Sequence, residues 1–191
     1  MYRKLRNDEL GRLSTDEFKN SEKLKVTVIL DNVRSQHNIG SAFRTADSFL
    51  IEQIILCGIC ATPPTAEIHK SALGAEFSVD WSYSPQTITI VNELKERGYT
   101  IISIEQAKDS ISLENISSSI YLDGNNFLQQ DKKYALIFGN EVKGVAQEVV
   151  DASHHVIEIP QFGTKHSLNI SVSLGIVLWE FCKYLKILRN K

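Results

Sequence analysis

The chain has 191 residues, a formal net charge of −2 and 42% hydrophobic residues, a length and balance that suit one globular domain with a substantial core and exclude a disordered or strongly basic polypeptide. No global positive field announces a nucleic-acid partner, so any such binding must come from local Lys/Arg patches. No apolar run approaches a membrane span, and Arg3, Lys4, Arg6, Asp8 and Glu9 stand where a signal peptide would be apolar, so a cytoplasmic location is expected.

Residues 1–23 carry charges of both signs and read as a helical arm in front of a body at 24–191. The body begins with a β-branched run at 25–30, and Ile39, Ala42, Phe43, Ala46 and Phe49 then recur at helical spacing over 39–50. Further strands are expected at 53–57, 77–83, 100–104, 134–138 and 155–159, and helices at 68–73, 87–97 (stopped by Gly98), 145–152 and 168–188. The stretch 105–126 is polar and suggests no element. Continuous apolar strands between helices indicate an α/β fold with a mostly parallel sheet covered by helices on both faces. Ligands of such sheets bind beyond the carboxyl ends of the strands, where the polar segments described next fall.

Three cysteines, an odd number, argue against a disulfide framework. Cys57-Gly-Ile-Cys60 has metal-ligand or redox spacing, but no second pair accompanies it and His69 is the only ligand type nearby. Buried small hydrophobes and no metal are the expectation there, and Cys182 reads as core.

Three segments carry chemistry. The first runs from Asn32 to Asp47, where a strand end enters a helix presenting Asn38, Ser41 and Arg44; the plain alternative is an Arg44–Asp47 surface pair of small worth. It has neither a three-glycine dinucleotide fingerprint nor a Gly-Lys-Ser/Thr phosphate loop. The second, Phe138-Gly-Asn-Glu-Val-Lys-Gly144, sets two glycines around an acid directly after a strand. It describes a tight turn that lets backbone approach a ligand and holds Glu141 at the strand end, unless Glu141 only caps or pairs locally. The third, Pro160 to Ser173, opens the last helix with a polar cluster in which Ser167 is expected as the N-cap and Asn169 inside the first turn. Such a helix end donates hydrogen bonds to ligands, and His166 reads either as a base or as a structural side chain.

In that order, Asn38 and Arg44 six apart before a helix, Phe-Gly-x-Glu-x-x-Gly after a strand, and Ile159-Pro160 followed by Ser-Leu-Asn-x-Ser at 167–171 closely resemble the SpoU/TrmH group of the SPOUT superfamily of S-adenosylmethionine-dependent RNA methyltransferases. The resemblance covers about residues 26–179. It implies a deep trefoil knot in the C-terminal third, a homodimer with each cofactor site near the subunit interface, and transfer of the methyl group to a ribose 2′-hydroxyl. By position it carries catalytic roles to Arg44, Asn38, Glu141, Ser167 and Asn169, and cofactor binding to Ile104, Gly139, Ile159 and Leu168. Guanidinium is always protonated, so Arg44 fits a clamp on phosphate and a stabiliser of the developing alkoxide better than a base, unless a dry interface lowers its pKa. A non-catalytic RNA-binding or assembly protein of the same fold and a base methyltransferase are the alternatives. The chain lacks room for the extra N-terminal RNA-binding domain of many ribosomal RNA members, which favours tRNA over rRNA as substrate. RNA contacts are expected from Arg3, Lys4, Arg6 and Arg12 of the arm or, failing that, from the body around Arg34, Lys143 and Lys165. The last helix has more apolar positions than one buried stripe needs, including Val172, Ile176, Trp179 and Phe181, as a dimer interface would require.

Overall fold

The computed structural model describes residues 2–116 and 127–185. In chain order these form α1 (Thr15–Asn20), β1 (Leu24–Asp31), α2 (Gln36–Ser48), β2 (Ile51–Cys57), α3 (Ala66–Ala72), α4 (Ala75–Ser78), β3 (Asp80–Ser84) and α5 (Thr87–Glu96). The chain continues through β4 (Tyr99–Ile104), β5 (Ile111–Ser112), β6 (Lys133–Phe138), α6 (Gln147–Ala152), β7 (His155–Glu158) and α7 (Ile170–Tyr184). The strands make one sheet in the order β3-β2-β1-β6-β4-β7-β5, and every pairing is parallel.

The apolar runs become central strands because a parallel sheet needs both faces covered. β1 is buried everywhere but at Lys25. Its alternate residues serve two cores: Val28 and Leu30 meet Ile39, Phe43, Ile68, Leu174 and Phe181 from α2, α3 and α7, while Ile29 meets Val91, Leu94 and Val149 from α5 and α6. Helices on both faces follow from that alternation.

β7 lies between β4 and β5, so the connection at 105–110 spans a strand that comes later in the chain. The segment leaving β7 is tied to this connection where Gln106 Nε2 donates to the His166 carbonyl at 2.7 Å. A crossing of this kind departs from the usual rule against threaded chains and is consistent with the expected knot.

Several expectations need correction. The arm is not one helix: it has a single 3-10 turn at Asn7–Leu10 and then α1, opened by a capping box between Ser14 and Glu17. Nor is it detached, since Phe18 is buried in the core beside α4. The expected strand at 77–83 starts only at Asp80, because Ala75, Glu76 and Ser78 turn helically to bury themselves. The 105–126 stretch holds β5, too short to show periodicity, and its residues 117–126 lie outside the described residues, as do 186–188 of the expected last helix. Finally, α7 starts at Ile170 with Asn169, not Ser167, as its N-cap: the Asn169 carbonyl oxygen of the side chain accepts from Ser171 N at 2.9 Å. Asn169 therefore precedes the first turn instead of lying within it.

α2 and α3 touch at Gly40, where an added Cβ would stand 2.1 Å from Ser71 Oγ and 2.4 Å from the Ile68 carbonyl oxygen. Gly40→Ala should force the helices apart and cost about 1–3 kcal/mol. An unchanged urea midpoint in the variant would contradict this contact.

Candidate active site

Glu141 lies in the turn that follows β6 and accepts three hydrogen bonds from the loop after β1 and the start of α2. Arg34 N reaches Oε2 at 3.2 Å, Ser35 N reaches Oε1 at 3.2 Å, and Asn38 Nδ2 reaches Oε1 at 3.0 Å. Its partial burial pushes the carboxyl upward, but its own backbone N–H, the Asn38 amide and the Arg34 and Ser35 N–H groups outweigh this and hold it below the usual value. Asn38 in turn accepts from Asn169 Nδ2 at 3.2 Å, and Asn169 accepts from Ser171 N and, at 2.6 Å, from Ser171 Oγ. One relay of side chains thus joins the start of α2 to the β6 turn and to the start of α7, each more than a hundred residues further along the chain.

Beside this relay is a cavity of about 490 Å³ at the carboxyl ends of β4, β6 and β7. Ile104, Gly139, Ile159 and Leu168, the four positions matched to cofactor binding, all line it, together with Glu141, Ser167 and Asn169. Asn38 stands behind the wall and touches it through Glu141 and Asn169. Arg44 is different. It is exposed, lines no part of this cavity and has no ion pair or side-chain hydrogen bond among the described residues. The alternative Arg44–Asp47 pair is not formed; partial burial raises the Asp47 carboxyl, opposed by Ser78 and the charge of Arg12.

Gly139 is under a further constraint. Its missing Cβ would fall 2.1 Å from the Gly144 carbonyl carbon and Val145 N, so the turn excludes a side chain against itself before any ligand is considered. Backbone bonds at 3.0 and 2.9 Å between Asn140 and Gly144 close that turn. Asn140 shapes it further: its Oδ1 accepts from Val142 N and Lys143 N, and its Nδ2 donates to the Asn32 carbonyl at 2.7 Å.

Sequence reasoning missed Glu105, which lines the cavity and accepts from Val145 N at 2.9 Å. The signal was available, since Glu105 follows β4 as Glu141 follows β6. Asp31 was missed too. Buried at the end of β1, it accepts from Thr87 Oγ1 at 2.6 Å and from Ala146 N and Asn32 Nδ2 at 2.9 Å.

His166 borders the cavity with its ring exposed. Cys57, Cys60 and Cys182 are buried, and desolvation raises their thiols to about 12, about 11 and about 12, so they stay protonated at neutral pH. Among the described residues no cluster of three His, Cys, Asp or Glu could hold a metal, and no helix is long and apolar enough to cross a membrane.

A doubly covered parallel sheet with a polar cavity at its carboxyl edge defines an α/β protein with a ligand site at the strand ends. Within that class, the model of the SpoU rRNA Methylase family matches residues 25–179, and the chain belongs to that family. A Borreliella burgdorferi protein described as an uncharacterized tRNA/rRNA methyltransferase is 30% identical, with 91% of this chain and 70% of that protein covered. The tRNA (guanosine(18)-2′-O)-methyltransferase of Aquifex aeolicus is 29% identical over 80% of this chain and 66% of its own length. The crystal structure of an AdoMet-bound rRNA methyltransferase from Sinorhizobium meliloti superposes with a TM-score of 0.73 at 25% identity, covering 90% of this chain and 60% of that one. The chain thus spans between 60% and 70% of these relatives.

Because the folded Glu141 carboxyl titrates below its usual value of 4.5, it contributes stability above that pH and loses it as pH falls through the folded value. Glu141→Gln should flatten this part of the acid limb in urea titrations run below pH 4.5. Superimposable acid limbs for the two proteins would show that the relay does not hold the anion.

Proposed function

We propose that the protein transfers a methyl group from S-adenosylmethionine to a ribose 2′-hydroxyl of RNA, with tRNA preferred over rRNA. The observation that carries the reading is the convergence of Ile104, Gly139, Ile159, Leu168, Glu141, Ser167 and Asn169 on one cavity. Its size lies within the ~300–1,000 Å³ usual for small-molecule sites. The donor set suits the cofactor: half-buried Ile104 and Ile159 offer apolar faces to a base, while Glu105, Ser167 and Ser173 offer polar groups to the charged methionine end. The family membership and the AdoMet-bound Sinorhizobium meliloti relative support the same choice. The Aquifex aeolicus relative, by its name a tRNA 2′-O-methyltransferase, supports both the ribose acceptor and tRNA.

Bound there, the cofactor supplies an electrophilic methyl group whose sulfonium departs as a neutral thioether. The chain's part is to position the hydroxyl and stabilise its developing negative charge. Glu141 is a weak base, because its N–H partners favour the anion. It serves with Asn38 to fix the β6 turn against α2, while Asn169 and Ser167 set the ribose side of the cavity. Arg44, a permanent cation with no partner among the described residues, clamps the phosphate next to the acceptor, and the hydroxyl proton leaves to a phosphate oxygen or water.

We infer a homodimer as well, formed on α7. Val172, Ile176 and Trp179 follow one another at helical spacing and are 49%, 37% and 48% exposed, an apolar stripe continued by Leu168. Phe181, expected in this set, belongs to the core. The stripe reaches the end of α2, where the Trp179 and Phe49 rings stand 6.4 Å apart, so a second copy would cover the neighbourhood of Arg44. In this reading residues 24–191 form the methyltransferase domain, residues 1–23 an appended arm, and the protein works in the cytoplasm. The arm offers RNA less charge than its composition suggests, because Arg3 and Arg6 are both engaged by Glu9.

Arg44→Ala should abolish methyl transfer to tRNA while cofactor affinity stays within twofold, with the product's methylation mapped by nuclease digestion and mass spectrometry. Near-normal turnover would reject the role of Arg44, and a methyl group on a base would reject the ribose reading. Trp179→Glu should yield a monomer in sedimentation, whereas a persistent dimer would move the interface elsewhere.

A further inference from the structure

A second cavity, of about 390 Å³, lies on the other side of the 140–144 turn, between it and the loop after β1. Asn140, Val142, Lys143 and Gly144 line both cavities, so a single turn of backbone separates them. Resting on the methyl-transfer reading above, we propose that this cavity binds the nucleotide adjoining the methylated ribose, with Arg34 and Lys143 on its phosphate and Ile59 and Val142 against its base.

Charge argues for the phosphate. Arg34 and Lys143 have no ion pair or side-chain hydrogen bond among the described residues, so both charges face solvent uncompensated. Asp31 is the one acidic lining residue, and it forms no ion pair with them: it is 1% exposed, and Thr87, Asn32 and Ala146 occupy its oxygens. Two unpaired cations beside an internally satisfied carboxylate select an anion. The apolar side argues for a base instead of a bare anion, because Ile59 and Val142 are 56% and 83% exposed at the same cavity. A phosphate carrying a flat apolar ring system matches that pairing.

Placement argues for a neighbour of the reacting ribose. Arg34 N donates to Glu141 at 3.2 Å, and Lys143 N donates to Asn140 at 3.1 Å, so the backbone that carries each cation is anchored to the wall of the methyl-donor cavity. Phosphate contacts set the register of a nucleic acid on its protein. A phosphate fixed here would set the strand's register against the site where the hydroxyl must meet the methyl group.

Arg34 and Ile59 line only the second cavity, which makes their side chains the clean probes. With total tRNA as substrate, Arg34→Gln should raise the RNA KM about tenfold and lower the slope of log affinity against log salt by about 1. Arg34→Gln with Lys143→Gln should lower that slope by about 2. Ile59→Ser should raise KM several-fold with the slope unchanged. In Arg34→Gln and Ile59→Ser, kcat and the S-adenosylmethionine Kd from calorimetry should remain within twofold of the parent. An unaltered RNA KM and salt slope in Arg34→Gln would overturn the proposal, and so would a weakened cofactor Kd in that variant, which would assign the cavity to the methyl donor. If the parent protein methylates no RNA, the functional reading fails separately. Fluorescence anisotropy with labelled tRNA then decides the cavity alone: loss of affinity in Arg34→Gln supports it, and equal affinity rejects it.

Discussion

A parallel sheet leaves the ends of its strands to be finished by other parts of the chain, and in this protein acids at those ends do the finishing: Asp31 is buried, Glu105 half-buried and Glu141 exposed. Asp31 is the central case. A carboxylate 1% exposed is tolerable only when its lone pairs are filled, and the donors come from its neighbour Asn32, from the start of α5 and from the backbone just before α6. Glu105 does the same for Val145 at the end of β4. Glu141 completes the set by holding the loop after β1. Removing any one carboxylate would leave fixed N–H groups without acceptors, so these acids hold the loops in a single arrangement.

That arrangement makes the functional surface. The 140–144 turn is braced from one side by Asn32 and from the other by Glu105, and this rigid partition has a cavity on each face. A methyl donor on one face and an RNA segment on the other would meet at its rim, where the Glu141–Asn38–Asn169 relay lies. The catalytic group assigned to Arg44 stands outside this frame, on a helix that packs against α7. In the proposed reading its charge is left for phosphate, and the exposed apolar stripe of α7 is the face a second copy would cover.

Much of the architecture was legible in the residues. Apolar runs such as 25–30 and 134–138 can only be strands covered on both faces, and the polar segments fall at their carboxyl ends for the same reason. The motif glycines marked the β6 turn, and the structure adds a constraint the residues could not show: a Cβ at Gly139 would meet Gly144 and Val145. The cap of α7 went astray by two residues because Ser167 and Asn169 are both good N-caps, and only the contact with Asn38 distinguishes them.

Local chemistry by itself therefore determined which segments become strands, which turns are tight and which side chains could take part in a site. Whether those side chains meet depended on pairings across more than a hundred residues, such as Glu141 with Arg34 and Asn169 with Asn38. No local pattern encodes them, because they arise from the sheet order and the passage of the chain between β4 and β5. Asp31 and Asn140 looked like ordinary strand-end polar residues until burial and partners identified them as the supports of two cavities. Arg44 shows the reverse: its motif marked it out from sequence, and only the tertiary structure separated it from the cavity its motif partners line.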